Sequence, residues 1–476
     1  MKFGLDGLVS FSQRYGDQEK RFLAGVDFRK ALYNWIPMKK SFYIHSLGCP
    51  KNSVDSQSMA ELLVTHGYQM AENQQNAGII IVNTCGFIQP ARQEALDLLK
   101  EIMREKNMSQ KVIAAGCLTQ REKEMVTAEV PGLDALIGTR RWMDILPVVR
   151  QLELTTNLPV TSIAETKLAM EDEHILRASL AGGYAYLKIA DGCDRGCAFC
   201  AIPLIKGAQV SRKSTDILRD VRVLQDAEVQ ELILIAQDVT AYGHDLGMKD
   251  GLPILLKEIL KTAPAIPWIR LLYTYPGEIS QDLITLMAEQ PRILPYLDIP
   301  LQHAHPDILR RMHRPADMGQ VIVSIQAMRE RISNLAIRST FIVGFPGETE
   351  QEFQVLLDFI KVMRFDRVGI FPYSHEQGTA AFKFPDDVSP SKKEERIQRL
   401  AALQEEISVQ KNQDFVGKEM DVIVDGVGDG ISVCRSYRDA PEIDGMVMVD
   451  GELEIGKITA VKITTALVHD LIAAKL

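Results

Sequence analysis

The sequence predicts an α/β protein in three parts: an N-terminal open parallel α/β sheet domain, a partial (β/α)6 barrel, and a small C-terminal all-β barrel. Three observations predict this fold class. The length of 476 residues exceeds what one hydrophobic core usually organises. Two successive series of short apolar runs alternate with amphipathic stretches, which indicates parallel strands joined by helices. Beyond about residue 415 the apolar period changes to two, which indicates a small antiparallel barrel.

The first series of elements precedes residue 150. The runs SFYIHS, GIIIVNT and KVIAAG are predicted strands, one helix is opened by Asn52 and Ser53, and another extends from Glu94 to Arg104. The stretch LPVTSIAETKLAMEDEHILRASLAGG, at 158–183, is irregular and mixed in charge, so we interpret it as linker.

The second series contains six strand-helix units. Its apolar runs are AYLKIA, ELILIA, IRLLYTY, YLDIPL, IRSTFIVGF and RVGIFPY, and its last helix extends from Ser391 to about Asp414. Because eight units close a complete barrel, six predict an incomplete one with a lateral opening for substrate. In the tail, MDVIVDGV, ISVCRSY, MVMVDGE and ITAVKITTA alternate as strands.

These elements divide the chain into five segments. In order they are an extension, the first sheet domain, a linker, the partial barrel and the terminal barrel: 1–37, 38–150, 151–180, 181–414 and 415–476.

The composition excludes several classes of protein. With 46% hydrophobic and 25% charged residues, the chain is neither disordered nor fibrous. It has no run of roughly eighteen apolar residues that could span a membrane. The N-terminal stretch MKFGLDGLVSFSQRYGDQEKRF carries charge where a secretory signal needs apolar residues, so we expect a cytoplasmic protein. The net charge of -9 is the wrong sign for coating nucleic acid.

Three of the seven cysteines form a local motif. Cys193, Cys197 and Cys200 are spaced C-x3-C-x2-C directly after the run AYLKIA. A structural zinc site usually needs four protein ligands, whereas a cubane cluster held by three cysteines leaves one iron free to bind another molecule. Zinc ligation or simple burial of the three thiols is the alternative.

Three more cysteines are dispersed. Cys49, Cys85 and Cys117 each follow an apolar run in the first series. Because the carboxyl ends of parallel strands line one edge of a sheet, these thiols can meet there and hold a second cluster. The alternative is that they are buried as small hydrophobic side chains. Cys434, in an alternating strand, is predicted to pack in the core.

The first cysteine motif, with Phe199 immediately before its last cysteine, resembles that of the radical S-adenosylmethionine superfamily. The resemblance implies that the free iron chelates the methionine amine and carboxylate of S-adenosylmethionine. It also implies reductive cleavage of the sulfonium to a 5′-deoxyadenosyl radical, which abstracts hydrogen from unactivated carbon. The protein's share is to bind, orient and exclude water.

Several segments together resemble the methylthiotransferases, most closely the RimO branch, over roughly residues 41 to 470. They are SLGCPKNSVDS, NTCGFI, DGCDRGCAFCAIP, LIAQDVTAYG, DIPLQH, FIVGFPGE and SYRDAPEIDG. The resemblance implies an N-terminal cluster domain, a radical S-adenosylmethionine partial barrel, and a C-terminal TRAM domain that grips the macromolecular substrate. RimO enzymes place a methylthio group on the β-carbon of one aspartate of protein S-twelve of the small ribosomal subunit. The sister branch, MiaB, modifies an adenosine of transfer RNA.

The charge of the tail favours a protein substrate over RNA. From Phe415 onward six basic residues stand against eleven acidic ones. Because ribosomal proteins are typically basic and RNA requires cations to neutralise phosphates, an acidic docking surface suits the former. The alternative is that these carboxylates only keep the surface soluble.

The resemblance assigns roles residue by residue. Two 4Fe-4S clusters are implied: Cys193, Cys197 and Cys200 hold the radical-generating one, and Cys49, Cys85 and Cys117 hold the auxiliary one, to which the inserted sulfur is attached. For S-adenosylmethionine itself we look to residues at strand ends that face the barrel mouth: Phe199, Gln237, Gln302 and Ile342.

Two histidines, His303 and His305, are predicted to be surface residues at a helix entry, because no acid or thiol partner is evident nearby. They are therefore not assigned as metal ligands.

Two rival functions remain open. A MiaB-like enzyme would act on transfer RNA, and an iron-sulfur electron carrier or scaffold would leave S-adenosylmethionine intact. The sequence does not identify the external electron donor, the sulfur source, or whether translation starts at Met1 or Met38.

Overall fold

The computed structural model describes residues 40–154, 159–164 and 175–476. The chain forms two units, Met1–Pro37 and Met38–Leu476. The first unit and parts of the predicted linker lie outside the described residues. The question of whether translation starts at Met1 or Met38 therefore also falls outside them. Every helix in the described ranges is too short or too polar to span a bilayer.

The first sheet contains six parallel strands in the order β2-β1-β3-β4-β5-β6. In chain order, β1 to β6 are Ser41–Ser46, Gln69–Met70, Ile79–Thr84, Lys111–Gly116, Ala135–Gly138 and Val160–Ser162. Every residue of β3 is buried, as expected of a strand covered on both faces. The interpretation of 158–183 as irregular is wrong at β6, which pairs with β5. Three residues are too few to show a period.

Five helices accompany this sheet. From α1 to α5 they are Pro50–Thr65, Gln89–Glu105, Cys117–Arg121, Lys123–Glu129 and Ile145–Leu154. The first begins two residues earlier than predicted, because Pro50 has the backbone angle that suits a first turn. Apolar clusters lie on both faces of the sheet.

The second sheet contains the six predicted parallel strands and one more. Its order is β15-β14-β13-β12-β11-β8-β7, open at both edges, so the incomplete barrel is confirmed. Strand β7 is antiparallel to β8 and lies in the stretch interpreted as irregular. From β7 to β15, including the short pair β9 and β10, the strands are Ala178–Ala181, Tyr184–Lys188, Ala190–Asp191, Val210–Ser211, Glu231–Ile235, Trp268–Leu271, Ile293–Asp298, Ala336–Val343 and Arg367–Pro372.

The helices of this part, from α6 to α13, are Ile202–Ile205, Ser214–Asp226, Gly251–Thr262, Gln281–Glu289, Pro306–Arg311, Met318–Arg331, Glu350–Met363 and Pro390–Gln413. All but α6 and α10 contribute to the largest apolar core, which they form with the outer face of the sheet. The short helices α6 and α10 contribute to smaller apolar clusters. The last helix, α13, is capped by Ser389 and ends within one residue of its predicted end.

The C-terminal part is a closed five-stranded barrel. Its strands, β16 to β20, are Glu419–Gly428, Ile431–Ser436, Val447–Asp450, Ile458–Ala466 and Leu471–Lys475. The fifth strand was not predicted, and it pairs in parallel with β18, whereas the other strand pairs of the barrel are antiparallel as predicted. Cys434 is fully buried in the barrel core, as predicted.

This small barrel packs against the amino ends of the second sheet's strands. Glu231, the first residue of β11, accepts hydrogen bonds from Arg270 at 2.5 Å and from Arg435 at 2.7 Å. Asp444 accepts a hydrogen bond of 2.6 Å from Tyr296. The charged side chains of the SYRDAPEIDG segment that lie in this interface are therefore unavailable to a substrate.

Candidate functional site

All six predicted cluster cysteines line one cavity of about 360 Å³. The cavity lies where the carboxyl ends of strands in both sheets meet, the position at which α/β folds usually bind ligands. The structure therefore brings together two cysteine trios that are far apart in sequence.

The N-terminal trio meets because β1, β3 and β4 are neighbours in their sheet. Cys49 is the N-cap of α1, Cys85 follows β3 directly, and Cys117 is the first residue of α3. At Gly48, with φ of +90°, an added Cβ would lie 2.9 Å from Cys85 Cβ. A glycine is therefore needed for the Cys49 loop to approach Cys85.

Asn52, in the first turn of α1, joins the three loops. Its side-chain amide donates to the carbonyl oxygens of Leu47, at 2.9 Å, and Thr84, at 3.1 Å. Its Oδ1 accepts from the Cys117 thiol at 3.6 Å. The residue is buried, so these contacts hold the loops that carry the trio.

The second trio lies in the loop that follows β8 and β9. The Cys193 sulfur accepts a hydrogen bond from the backbone N–H of Arg195 at 3.4 Å, and the Cys197 sulfur accepts one from the Arg314 guanidinium at 3.6 Å. For Cys193 this backbone donor favours the thiolate, the form that ligates metal.

Burial alone keeps several of these thiols protonated. It raises the pKa of Cys193 to about 11, and the pKa values of Cys200 and Cys117 to about 12. Burial is also the main cause that raises the pKa of Cys85. Metal ligation must therefore displace protons from these thiols.

The donor set fits an iron-sulfur cluster at each trio better than a zinc ion. Each trio supplies three thiols, whereas a structural zinc ion usually takes four protein ligands and a cubane cluster can be held by three. Among the described residues, no three His, Cys, Asp or Glu side chains are grouped so that they could hold a metal ion.

Of the four predicted cofactor contacts, Phe199, Gln237 and Gln302 line the cavity. The Gln237 amide donates to Asp191 at 2.9 Å, and its Oε1 is buried without a partner among the described residues. An unpaired buried oxygen suits a donor brought by a ligand. The remaining residue, Ile342, packs in an apolar cluster beside the site and is not among the lining residues.

The expectation that both His303 and His305 are surface residues is wrong for His303. His305 caps α10, as a helix-entry residue does. His303 is fully buried, with its Nε2 at 3.9 Å from Glu348. The acid lies more than forty residues along the chain, so sequence proximity gave no sign of it.

A buried charge network beside the cavity was not predicted. Asp55, on α1, lies 2.5 Å from both Arg177 and Lys188 and 3.2 Å from Lys206. Burial alone would raise the pKa of Asp55, but these three cations hold it well below its usual range. Lys206 also contacts Asp191, at 3.0 Å, and lines the cavity beside the N-terminal trio. Asp55 belongs to the segment SLGCPKNSVDS, one of those that carry the family resemblance, so its place in that motif could have marked it as a functional residue.

Lys51 also lines the cavity and was not singled out from the sequence. Its ammonium lies 3.0 Å from the centre of the Tyr273 ring. Burial lowers the pKa of Lys51 to about 8, which leaves it mostly protonated at neutral pH.

Three regions of the chain match known families. Residues 41–138 match the uncharacterized protein family UPF0004, residues 187–360 the radical SAM superfamily, and residues 416–475 the TRAM domain.

Comparison with curated proteins gives similarity over most of the chain. One relative is the ribosomal protein uS12 methylthiotransferase RimO of Roseiflexus sp. (strain RS-1), which is 43% identical over 453 residues, covering 90% of this chain and 96% of the relative. The protein of the same name from Chloroflexus aurantiacus is 46% identical over 448 residues, covering 90% and 98%.

Among solved structures, the radical S-adenosylmethionine methyltransferase TsrM from Kitasatospora setae, with cobalamin and a 4Fe-4S cluster bound, is similar in fold. The TM-score is 0.52 at 12% identity, and the match covers 83% of this chain and 81% of that one. At this identity the likeness concerns the fold alone.

Proposed function

Because the chain belongs to the family of the ribosomal protein uS12 methylthiotransferases RimO, we propose that it inserts a methylthio group at the β-carbon of an aspartate of uS12. It is a radical S-adenosylmethionine enzyme, and its cofactors are S-adenosylmethionine and iron-sulfur. The observation that carries the proposal is that two trios of cysteines line one cavity.

Each trio has its own role in this proposal. Cys193, Cys197 and Cys200 hold the radical-generating 4Fe-4S cluster. The auxiliary cluster, which carries the sulfur to be inserted, is held by Cys49, Cys85 and Cys117. The shared cavity supports this division, because the methylthio donor and the acceptor carbon must reach one another.

The bound cofactors supply the one-electron chemistry that breaks an unactivated C–H bond, and the chain positions the reactants. Phe199, Gln237 and Gln302 are proposed to contact S-adenosylmethionine. For Gln237 the support is its unpaired buried Oε1. Ile342 is proposed as the fourth contact, because its backbone N–H donates to the carbonyl oxygen of Gln302 at 2.8 Å.

The five segments of the sequence analysis are proposed as the domain division, with the linker segment contributing β6 to the first sheet and most of β7 to the second. The family matches to 41–138, 187–360 and 416–475 lie within the three folded segments.

We propose that uS12 docks on the exposed acidic surface of the C-terminal barrel. The charged residues buried between the C-terminal barrel and the second sheet are not counted here. Among the remaining residues of the C-terminal barrel, exposed acids outnumber exposed lysines. The exposed acids are Glu419, Asp421, Asp429, Glu442, Asp450, Glu452 and Glu454, and the exposed lysines are Lys418, Lys462 and Lys475. Such a surface attracts a basic protein and repels RNA.

An external electron donor and a cytoplasmic location complete the proposal. The reductive chemistry consumes electrons that the chain must receive from elsewhere, and a ribosomal protein is met in the cytoplasm.

Mass spectrometry of uS12 tests the function. In cells that contain this gene, uS12 gains one sulfur and one methyl group in place of one hydrogen on an aspartate, and in a deletion strain it does not. An unchanged mass, together with the same group on transfer RNA, would support the MiaB-like alternative. Intact S-adenosylmethionine after anaerobic reduction would indicate an electron carrier.

A further inference from the structure

Four cationic side chains line the cavity, and the chain itself provides partners for three of them. Arg195 forms ion pairs at 2.8 and 3.0 Å, Lys206 is held by two buried carboxylates, and Arg314 donates to Cys197 and to a backbone carbonyl. Lys51 is different: among the residues that the structure describes, it has no hydrogen bond and no ion pair.

Lys51 is nevertheless nine-tenths buried, with 9% of its surface exposed. Among the described residues, its ammonium contacts the face of the Tyr273 ring, 3.0 Å from the ring centre. Asp298 acts on this charge only from beyond ion-pair distance, and one aromatic face compensates for only part of the cost of burying most of the side chain. The unpaired charge, directed at a ligand cavity, indicates that the anion arrives with a ligand.

The position of Lys51 favours a carboxylate near the N-terminal trio. Lys51 is the second residue of α1, two residues after Cys49, so the positive end of a sixteen-residue helix adds to its attraction for an anion. In an aspartate side chain the β-carbon is bonded directly to the carboxylate, so a group that fixes the carboxylate also fixes the reacting carbon.

We propose that Lys51 binds the side-chain carboxylate of the acceptor aspartate and thereby positions its β-carbon beside the auxiliary trio. This inference rests on the proposed function. The same ammonium could instead bind the carboxylate of S-adenosylmethionine, or balance the charge of a cluster held by Cys49, and the experiment separates these roles.

The test uses anaerobically reconstituted holoenzyme as wild type, K51M and K51R. Methionine keeps the length of the side chain and removes the charge, whereas arginine keeps the charge. The matched control is K257M, on an exposed lysine of α8 with no ion pair among the described residues. Equilibrium binding is measured with purified uS12, with uS12 carrying alanine at the acceptor aspartate, and with S-adenosylmethionine. Iron content and cluster midpoint potentials are measured in parallel.

We expect K51M to bind uS12 roughly tenfold to a hundredfold more weakly, as for the loss of one charge-assisted hydrogen bond. The alanine form of uS12 is expected to bind K51M and wild type equally, because it lacks the carboxylate that Lys51 would bind. K51R recovers most of the affinity, K257M matches wild type, and iron content, potentials and affinity for S-adenosylmethionine are unchanged.

Equal binding of uS12 by K51M and wild type would overturn the inference, and so would each of three other results. Equal weakening for both forms of uS12 would indicate a general structural effect. A selective loss of affinity for S-adenosylmethionine would assign Lys51 to the cofactor, and a shifted midpoint potential with unchanged uS12 binding would assign it to the cluster.

Failure of the inference is distinguishable from failure of the proposed function. If wild-type holoenzyme modifies uS12 and K51M binds and modifies it equally well, only the role of Lys51 is wrong. If wild type neither binds nor modifies uS12, the proposed function itself fails.

Discussion

Single side chains decide the shape of the N-terminal trio. Asn52 joins the loops after β1 and β3 and accepts from the Cys117 thiol. Gly48 allows the Cys49 loop to approach Cys85. An alanine at either position would displace a cysteine without removing a thiol, because the backbone that carries it would move.

The two trios make different predictions when one thiol is removed. We expect C117S to lose roughly half of the bound iron and all methylthio transfer, but to keep cleaving S-adenosylmethionine, since the other cluster is intact. C193S loses roughly half of the iron and also the cleavage. Iron per polypeptide and anaerobic release of methionine measure these outcomes.

Cys434 provides the control for this prediction. It is buried in the C-terminal barrel, away from both trios, so C434A is expected to keep the wild-type iron content. A loss of iron in C434A, or normal iron in C117S, would contradict the assignment of ligands.

At the scale of elements, α1 connects the two sheets. Its N-cap is Cys49, and its next turn carries Asp55, which contacts Lys188 of β8 in the second sheet at 2.5 Å. Because a buried ion pair is costly to break, this contact fixes the helix, and with it the N-terminal trio, relative to the second sheet.

The amino end of β11 anchors the C-terminal barrel, and E231Q tests this contact. The substitution leaves Arg270 and Arg435 buried with a weakened partner, so we expect the free energy of unfolding to fall by about 3–5 kcal/mol. Thermal unfolding and faster hydrogen exchange in β16 to β20 measure the loss. The control is E228Q, because Glu228 is 78% exposed and pairs with Lys457 at 3.2 Å, a surface contact of about 0–1 kcal/mol.

The same contact predicts a dependence on pH. Burial alone would raise the pKa of Glu231, but Arg270 and Arg435 lower it below the ordinary 4.5. Its contribution to stability is therefore fully present above about 4.5 and is lost as the pH falls through the lower value of the folded state. The difference in melting temperature between wild type and E231Q should shrink below pH 4.5. A constant difference from neutral to acid pH would refute the role of the charge.

At the scale of the whole molecule, the cavity and the C-terminal barrel occupy opposite ends of the second sheet's strands. The cysteines follow the carboxyl ends of strands, whereas Arg435 reaches the amino end of β11. The small barrel therefore packs against the partial barrel at the end of the strands opposite to the cavity.

Surface charge is expected to control the encounter with uS12. The double reversal D450K/E452K should slow association roughly tenfold at low salt, with the difference shrinking as salt increases. Stopped-flow association measures it. The control is E405K/E406K, which changes the net charge equally on exposed positions of α13. An equal effect of both pairs would show that net charge, rather than this surface, steers uS12.

Much of the fold could be read from periodicity. The six parallel strands of the partial barrel follow apolar runs separated by helical patterns, and all of them were predicted. Strands β2, β5, β6, β7, β9, β10 and β20 were missed, because strands of two to five residues carry little periodic signal of their own. The last of them is defined by its pairing with β18 and β19. Ile342 was placed correctly on a strand, but its distance from the cavity depends on how that strand end packs.

The sequence by itself determined the family of this protein, because the kind and spacing of its motif residues are shared with relatives over most of the chain. Only the tertiary structure decided which charges are available for function. Lys51 and Lys206 line the same cavity, yet Lys206 pairs with the buried Asp55, whereas Lys51 has no ion pair among the residues that the structure describes. The electrostatic energy of a charge depends on what surrounds it in three dimensions, and these neighbours come from distant parts of the chain.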